Sequence, residues 1–415
     1  MKVLAASFDT LPSSMQSRAF ILFALVFLAL LQYLRIIAAS DPSSFFADPR
    51  RAYGRRYSLL RAQQADDFIT NSWDHVARPK ASSDPSICVG IATVQRNDHR
   101  YFKLLVGSLL DGLDDAERQD IALVPFIANI DPRKHEAYSE PWLFNLADSI
   151  PTYEDVASKD RQRLRSQESA KGHEKKALFD YSYTLQTCLN TTASYILMLE
   201  DDVLAAEGWY SRTRAAIEEM EMQPRFDKSL YLRLFYNTRL QGWNSQFWPY
   251  YLWWSIVAEL SLAAVLWLLR RNISTARQFL TPRTIAAMLL VCSPACIGLY
   301  FAAGRQIVTP TPTGIHEMNQ FGCCSQALLL PREQCPPLLD YFNRKKRGLR
   351  DELIEKYADE NQLTRWAMTP SVFQHIGARS TKWRGAGSED VDKNGMTSTE
   401  KIWNHHFEAF DASRL

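Results

Sequence analysis

The sequence lacks an excess of charge of either sign. Its 48 lysines and arginines against 46 acids leave a net charge of +2. No basic stripe interleaved with aromatics occurs, which argues against nucleic acid as a partner. The paired CxxC spacing of a zinc site is also missing: the seven cysteines are Cys88, Cys188, Cys292, Cys296, Cys323, Cys324 and Cys335. Cys292 and Cys296 fall in an apolar stretch and read as membrane-embedded thiols. The other five are either reduced core thiols or, in an oxidising compartment, disulfide partners, with adjacent Cys323 and Cys324 able to form a vicinal bridge. Finally, no clear small-residue cleavage site precedes Asp41, so the first apolar run reads as an uncleaved anchor rather than a signal peptide.

Long hydrophobic runs are what the chain does have. Residues 19–39 approach the roughly 20 residues that a bilayer helix needs. Lys2 and Arg18 in the tail 1–18 place the amino terminus in the cytoplasm by the positive-inside rule. Two further runs, 247–269 and 284–303, form a helical hairpin around the loop 270–283, whose Arg270, Arg271, Arg277 and Arg283 keep it cytoplasmic. Residues 40–246 and 304–415 then both face the lumen, where they can form one domain. Trp248, Tyr250, Tyr251, Trp253 and Trp254 suit an interfacial aromatic belt. Glu259 lies within the second run with no basic partner in the third, too little for a transporter. The alternative is that the hairpin is a pair of buried helices of a soluble core.

The luminal chain divides into a polar stem, 40–85, two parts of one α/β domain, 86–246 and 304–380, and a polar carboxy-terminal tail, 381–415. ICVGIATVQR (87–96) reads as a buried strand, YFKLLVGSLLDGL as a helix with Phe102, Leu105, Leu109 and Leu110 at helical spacing, and DIALVPFIANID as a second strand ending near Asp131. A charged loop, 151–174, precedes an amphipathic helix, 175–189. The alternation continues through the strands SYILMLEDD and SLYLRLFYN (229–237), the pattern of a parallel sheet. After the hairpin come the strand in MNQFGCCSQALLLPRE, the helix RDELIEKYADEN and the segment TPSVFQHIG.

The triplet Glu200, Asp201 and Asp202 closes the apolar run Tyr195 to Leu199. Ligands in an α/β sheet bind beyond the carboxyl ends of strands, and carboxylates there can hold a divalent cation that holds a diphosphate in turn. The plainer reading is a solvated turn.

Together, ILMLEDDV, an inserted hairpin, FGCCSQALLL and PSVFQHIG resemble the glycosyltransferases of GT-A fold. The resemblance covers most of 87–380. It is closest to the Golgi N-acetylgalactosaminyltransferases that add a side-chain sugar to glycosylphosphatidylinositol (GPI) anchors, a GT-A domain split by a transmembrane hairpin. PSVFQHIG is also similar to the end of the N-acetylglucosaminyltransferase IV catalytic domain. The resemblance implies a Golgi membrane enzyme with a luminal catalytic domain, using Mn2+ and UDP-GalNAc on the mannose core of protein-linked GPI, with inversion. It implies Glu200, Asp201 and Asp202 at the metal, Asp202 as direct ligand, and His375 completing the shell. Uridine would lie against Thr93, Val94, Gln95 and Arg96, with Asp98 just beyond. Ser325 and Gln326 would contact donor sugar or acceptor. Asp351 or Glu352, at the start of a helix, would be the base that takes the acceptor proton; equally, either could simply complement the helix dipole. Two other functions stay open, a UDP-GlcNAc transferase that branches N-glycans and a catalytically silent membrane scaffold.

The topology makes a direct prediction. Asn190 in NTT is luminal and Asn272 in NIS cytoplasmic, so glycan mapping is expected to find no sugar on Asn272, while Asn190 is an available acceptor. A sugar on Asn272 overturns the orientation.

Overall fold

A computed structural model describes residues 14–71, 79–96, 100–165, 173–318, 324–378, 391–392 and 394–410. The chain forms two compact units, one of Met1–Ala52 with Gln241–Pro310 and one of Tyr53–Leu240 with Thr311–Leu415.

The first unit contains three helices long and apolar enough to cross a membrane, within Ser17–Ser40, Thr238–Asn272 and Pro282–Ala303. Their apolar windows are almost wholly exposed, 0% to 6% buried. That rules out the soluble-core alternative, because such helices would leave unbroken apolar faces in water. The protein is therefore a multi-pass membrane protein. At the hairpin turn Arg270 donates to the Leu280 carbonyl at 2.7 Å, and Arg277 donates to the carbonyls of Arg270 and Arg271 at 3.3 and 3.2 Å. These arginines satisfy carbonyls that the end of a helix leaves open. Inside the hairpin, Ser293 donates a hydrogen bond to Glu259, which gives that acid a partner the sequence did not reveal. A π turn, Met288–Cys292, lies just before Pro294, where the missing N–H interrupts the regular ladder.

The second unit is an α/β domain on a seven-stranded sheet. Its strands are β1 (Ile87–Thr93), β2 (Ile121–Ile127), β3 (Tyr195–Glu200), β5 (Ser229–Arg233), β6 (Gly314–Glu317), β7 (Ala327–Pro331) and β8 (Thr364–Thr369), in the order β2-β1-β3-β7-β5-β8-β6. β4 (Val203–Ala205) and β9 (Phe373–His375) form a separate two-stranded sheet. Alternate residues of β3 serve two cores. Leu197 and Leu199 join Phe102, Leu105 and Ile217 on one side, and Ile196 and Met198 join Leu185, Phe342 and Ile354 on the other. Helices thus cover both faces, as strands apolar on both sides require. A central sheet of this kind, interrupted in sequence by a membrane hairpin, is the arrangement the GT-A resemblance implies.

The expected parallel sheet is in fact mixed. β1 runs parallel to β2 and β3, but β7 lies antiparallel to both β3 and β5, and β6 is antiparallel to β8. The strand and helix alternation holds only as far as β5, after which the chain enters the hairpin, and β7 then returns beside β3 in the opposite direction. The consequence is functional: Leu199 pairs with Ala327, so β7 starts at the edge where β3 ends.

The stretch read as stem contributes a helix, Tyr57–Asn71, that buries Phe68 and Ile69 in the main core. Its Arg61 donates to the carbonyls of Ala205, Ser108 and Asp111 and pairs with the Asp111 carboxylate. The polar tail likewise buries Trp403, Asn404 and Phe407. The polar composition of both segments conceals these few anchoring side chains.

Cys88 of β1 is bonded to Cys188 at a sequence separation of 100. Cys324 is also disulfide-bonded, whereas the suggested bridge to Cys323 involves a residue outside the described ones. Cys292 and Cys296 are free, as is buried Cys335. Closing so long a loop restricts the unfolded chain, so replacing Cys88 and Cys188 together by alanine is expected to destabilise the domain by about 2–5 kcal/mol. Thermal unfolding of the solubilised protein should show an apparent Tm lower by on the order of 10 °C; an unchanged Tm contradicts this account.

Candidate functional site

The site lies beyond the carboxyl ends of β1 and β3. Thr93 ends β1, Glu200 ends β3 beside Ala92, and a turn at Asp201 and Asp202 leads straight into β4. β4 pairs with β9 so that Val203 lies opposite His375, and the Ile376 amide donates to the Asp202 carbonyl at 2.9 Å. This short ladder carries His375 to the acidic turn. The tail holds it there: the Asn404 main chain accepts from the buried Gln374 side chain, Nε2 to O at 2.8 Å, and donates to it, N to Oε1 at 3.0 Å.

A cleft of about 260 Å³ opens at this edge. Val94, Arg96, Glu200, Asp201, Asp202, Gln326, Asp351 and His375 are in its wall, so it gathers most of the residues singled out from the sequence. Thr93 lies beneath, buried. Gln95 turns away: its amide N–H donates to Asn129 Oδ1 at 2.9 Å and its Oε1 accepts from Glu136 N at 2.7 Å. Ser325 is buried against Glu200. Glu352 is exposed and outside the lining. Asp98 lies outside the described residues.

Each acid of the triplet has different company. Glu200 accepts from Ser325 Oγ at 3.0 Å and pairs with Arg350. Asp201 accepts from Thr93 Oγ1 at 3.0 Å and pairs with Arg96. Asp202 Oδ2 lies 3.0 Å from Arg96 Nη2 and 3.5 Å from His375 Nε2, while its Oδ1 is buried with no hydrogen-bond partner. Burial pushes the Asp202 carboxyl up, but the charges of His375, Arg96 and Arg350 outweigh it and hold it below the usual range. Burial lowers His135 to about 4, so the ring is neutral. Its Nε2 lies 3.0 Å from Thr93 Oγ1; since the Thr93 proton goes to Asp201, Nε2 carries the hydrogen and donates.

These donors suit a divalent cation on one side only. Among the described residues no three His, Cys, Asp or Glu side chains are grouped so as to hold a metal ion by themselves. Asp202 and His375 converge, Asp202 offers an unused buried oxygen, and a Cβ at Gly377 would fall 2.5 Å from Asp202 Oδ2 and 2.8 Å from His375 Nε2, so only glycine leaves this place open. One carboxylate, one imidazole and space for phosphate and water oxygens fit an ion of the magnesium or manganese type.

Three features were not legible as site residues. Arg350 stands in the first turn of the helix Arg350–Asn361, a position where the helix dipole disfavours a cation; that local misfit was the available signal. Buried Lys176 pairs with Asp180 of the cleft wall at 2.8 Å and donates to the Ala128 carbonyl at 2.6 Å, an i,i+4 pair that resembles an ordinary surface bridge in sequence. Thr399 and Ile402 of the tail also line the cleft, with no sequence pattern to announce them.

The model of the family described as GPI-N-acetylgalactosamine transferase PGAP4 matches residues 87–374, well over half of the chain. The match runs from the first residue of β1 into β9 and spans the inserted hairpin.

Gly377→Ala is expected to push the Asp202 and His375 side chains apart and lower affinity for Mn2+ at least tenfold, with the apparent Tm little changed. Titration of free Mn2+ by electron paramagnetic resonance measures this. Unaltered affinity removes the pair from any cation shell.

Proposed function

The chain belongs to the family of GPI-N-acetylgalactosamine transferases, and we propose that it transfers N-acetylgalactosamine from UDP-GalNAc to the mannose core of GPI anchors on proteins, in the Golgi lumen, with inversion. The observation that carries the mechanism is the meeting of Asp202, His375 and Asp351 in one cleft, although the membrane hairpin separates the first from the other two along the chain.

In this reading Asp202 and His375 hold Mn2+. When bound, the ion would screen the diphosphate and stabilise it as leaving group. Val94, Arg96 and the wall formed by Ala128, Leu178 and Asp180 would receive the nucleoside. Gln326, buried with its Oε1 unpartnered, is available to a donor N–H or O–H, and the N-acetyl amide of GalNAc offers one. Asp351 is the base. It lines the cleft, whereas Glu352 faces solvent. As Asp351 takes the acceptor hydroxyl proton, the acceptor oxygen bonds to the anomeric carbon, and the bond to the diphosphate breaks with its electron pair leaving on UDP. Anchoring in the bilayer supports a lipid-linked acceptor, because enzyme and substrate confined to one membrane meet at raised effective concentration.

Mass spectrometry of GPI glycans from cells lacking the gene and resupplied with variants tests the reading. Wild type should restore an N-acetylhexosamine side chain, and Asp202→Ala should abolish it at equal protein level and location. In vitro, Asp351→Asn should lower transfer by roughly 10²–10⁴-fold while UDP binding persists. GPI glycans unchanged by Asp202→Ala would sink the proposal, and transfer from UDP-GlcNAc to N-glycans would favour the branching alternative.

A further inference from the structure

Arg350 is built into the cleft in an unusual way. Its Nε donates to Ser325 Oγ at 2.8 Å, its Nη2 pairs with Glu200, and its guanidinium lies 5.7 Å from the centre of the Tyr181 ring. Ser325 in turn donates to Glu200 at 3.0 Å. The group is thus fixed on three sides by a carboxylate, a hydroxyl and an aromatic face. A guanidinium has five N–H donors, and these contacts use two. Among the described residues nothing accepts from Nη1, and the side chain remains 23% exposed in the cleft wall. Arg96, the other arginine of the lining, is engaged by both Asp201 and Asp202, and its Nε is buried without a partner. Arg350 faces one carboxylate where Arg96 faces two, and is 23% exposed against 15%, so it presents the less neutralised and more open cation, at a helix start where a cation is locally unfavourable.

We propose that Arg350 is a fixed binding group for the diphosphate of the donor, so that the cleft retains part of its affinity for a nucleoside diphosphate without any divalent ion. The inference rests on reading the cleft as the donor site. The second N–H of Nη2 and one N–H of Nη1, side by side at the end of the planar group, make a fork that matches two phosphate oxygens. The Glu200 and Ser325 contacts hold that fork in place before the ligand arrives, so little side-chain entropy is lost on binding. Glu200 is then a positioning residue for Arg350 rather than a metal ligand, which separates its role from that of Asp202.

Calorimetry of the full-length, solubilised protein with UDP and with uridine, each in Mn2+ and in EDTA, tests this. Wild type is expected to bind UDP in EDTA more weakly than in Mn2+ but measurably. Arg350→Gln should lose about ten- to hundredfold of UDP affinity in EDTA and leave uridine affinity unchanged, because uridine carries no phosphate. Arg350→Lys should fall between. If Arg350→Gln binds UDP in EDTA as wild type does, or weakens uridine equally, Arg350 only neutralises Glu200 and the proposal fails. If wild type binds UDP in Mn2+ but not at all in EDTA, the proposal fails while the donor-site reading stands. If wild type binds UDP under neither condition, the donor-site reading fails and takes this inference with it.

Discussion

Carboxylates taken out of water at the end of an apolar strand must be compensated, and the site is organised around that requirement. Removing one partner of a buried ion pair typically costs several kcal/mol. Glu200 is matched by Arg350, Asp201 by Arg96 with Thr93 behind it, and Asp180 by Lys176. Asp202 shares Arg96, faces His375 and keeps one buried oxygen unsatisfied. Of these four acids, only Asp202 keeps a buried oxygen without a partner, at the point where a further cation fits. An unsatisfied polar group in an otherwise paired cluster marks the chemistry more sharply than the cluster itself.

The partners come from distant parts of the chain. Arg96 follows β1, Ser325 precedes β7, Arg350 opens a helix, and His375 ends β9. Two strand pairings bring them together. The antiparallel β7 starts beside Glu200, and the Glu200 amide donates to the Gln326 carbonyl at 3.0 Å. β4 against β9 delivers His375 to Asp202. A parallel β7 would have placed Ser325 at the opposite edge of the sheet, leaving Glu200 and Arg350 without their shared hydroxyl. The membrane hairpin enters the sequence between β5 and β6, so the domain must close across it before the second half can reach the acids.

Much of this was legible in the residues. The three apolar runs were readable to within a few positions, because about 20 consecutive apolar residues have few alternatives to a bilayer helix. β1, β2 and β3 were readable because strands buried on both faces are uninterrupted apolar runs. The triplet stood out as polar residues where such a run stops. The direction of β7 was not readable, since five residues such as ALLLP pair equally well either way. Arg61, Trp403 and Asn404 were hidden in segments whose average composition is that of solvated chain, since burial of one side chain leaves little trace in a polar neighbourhood.

The sequence by itself determined the elements: membrane spans, the α/β alternation, and an acidic turn at a strand end. These depend on residues adjacent in the chain, whose periodicity is set by helix and strand geometry. Only the tertiary structure decided which acid lacks a partner, that His375 is its neighbour, and that Arg350 faces one carboxylate where Arg96 faces two. Those outcomes depend on sheet register between segments more than a hundred residues apart, for instance Val203 opposite His375. The energy of such pairings belongs to both partners at once and is therefore absent from either stretch read alone.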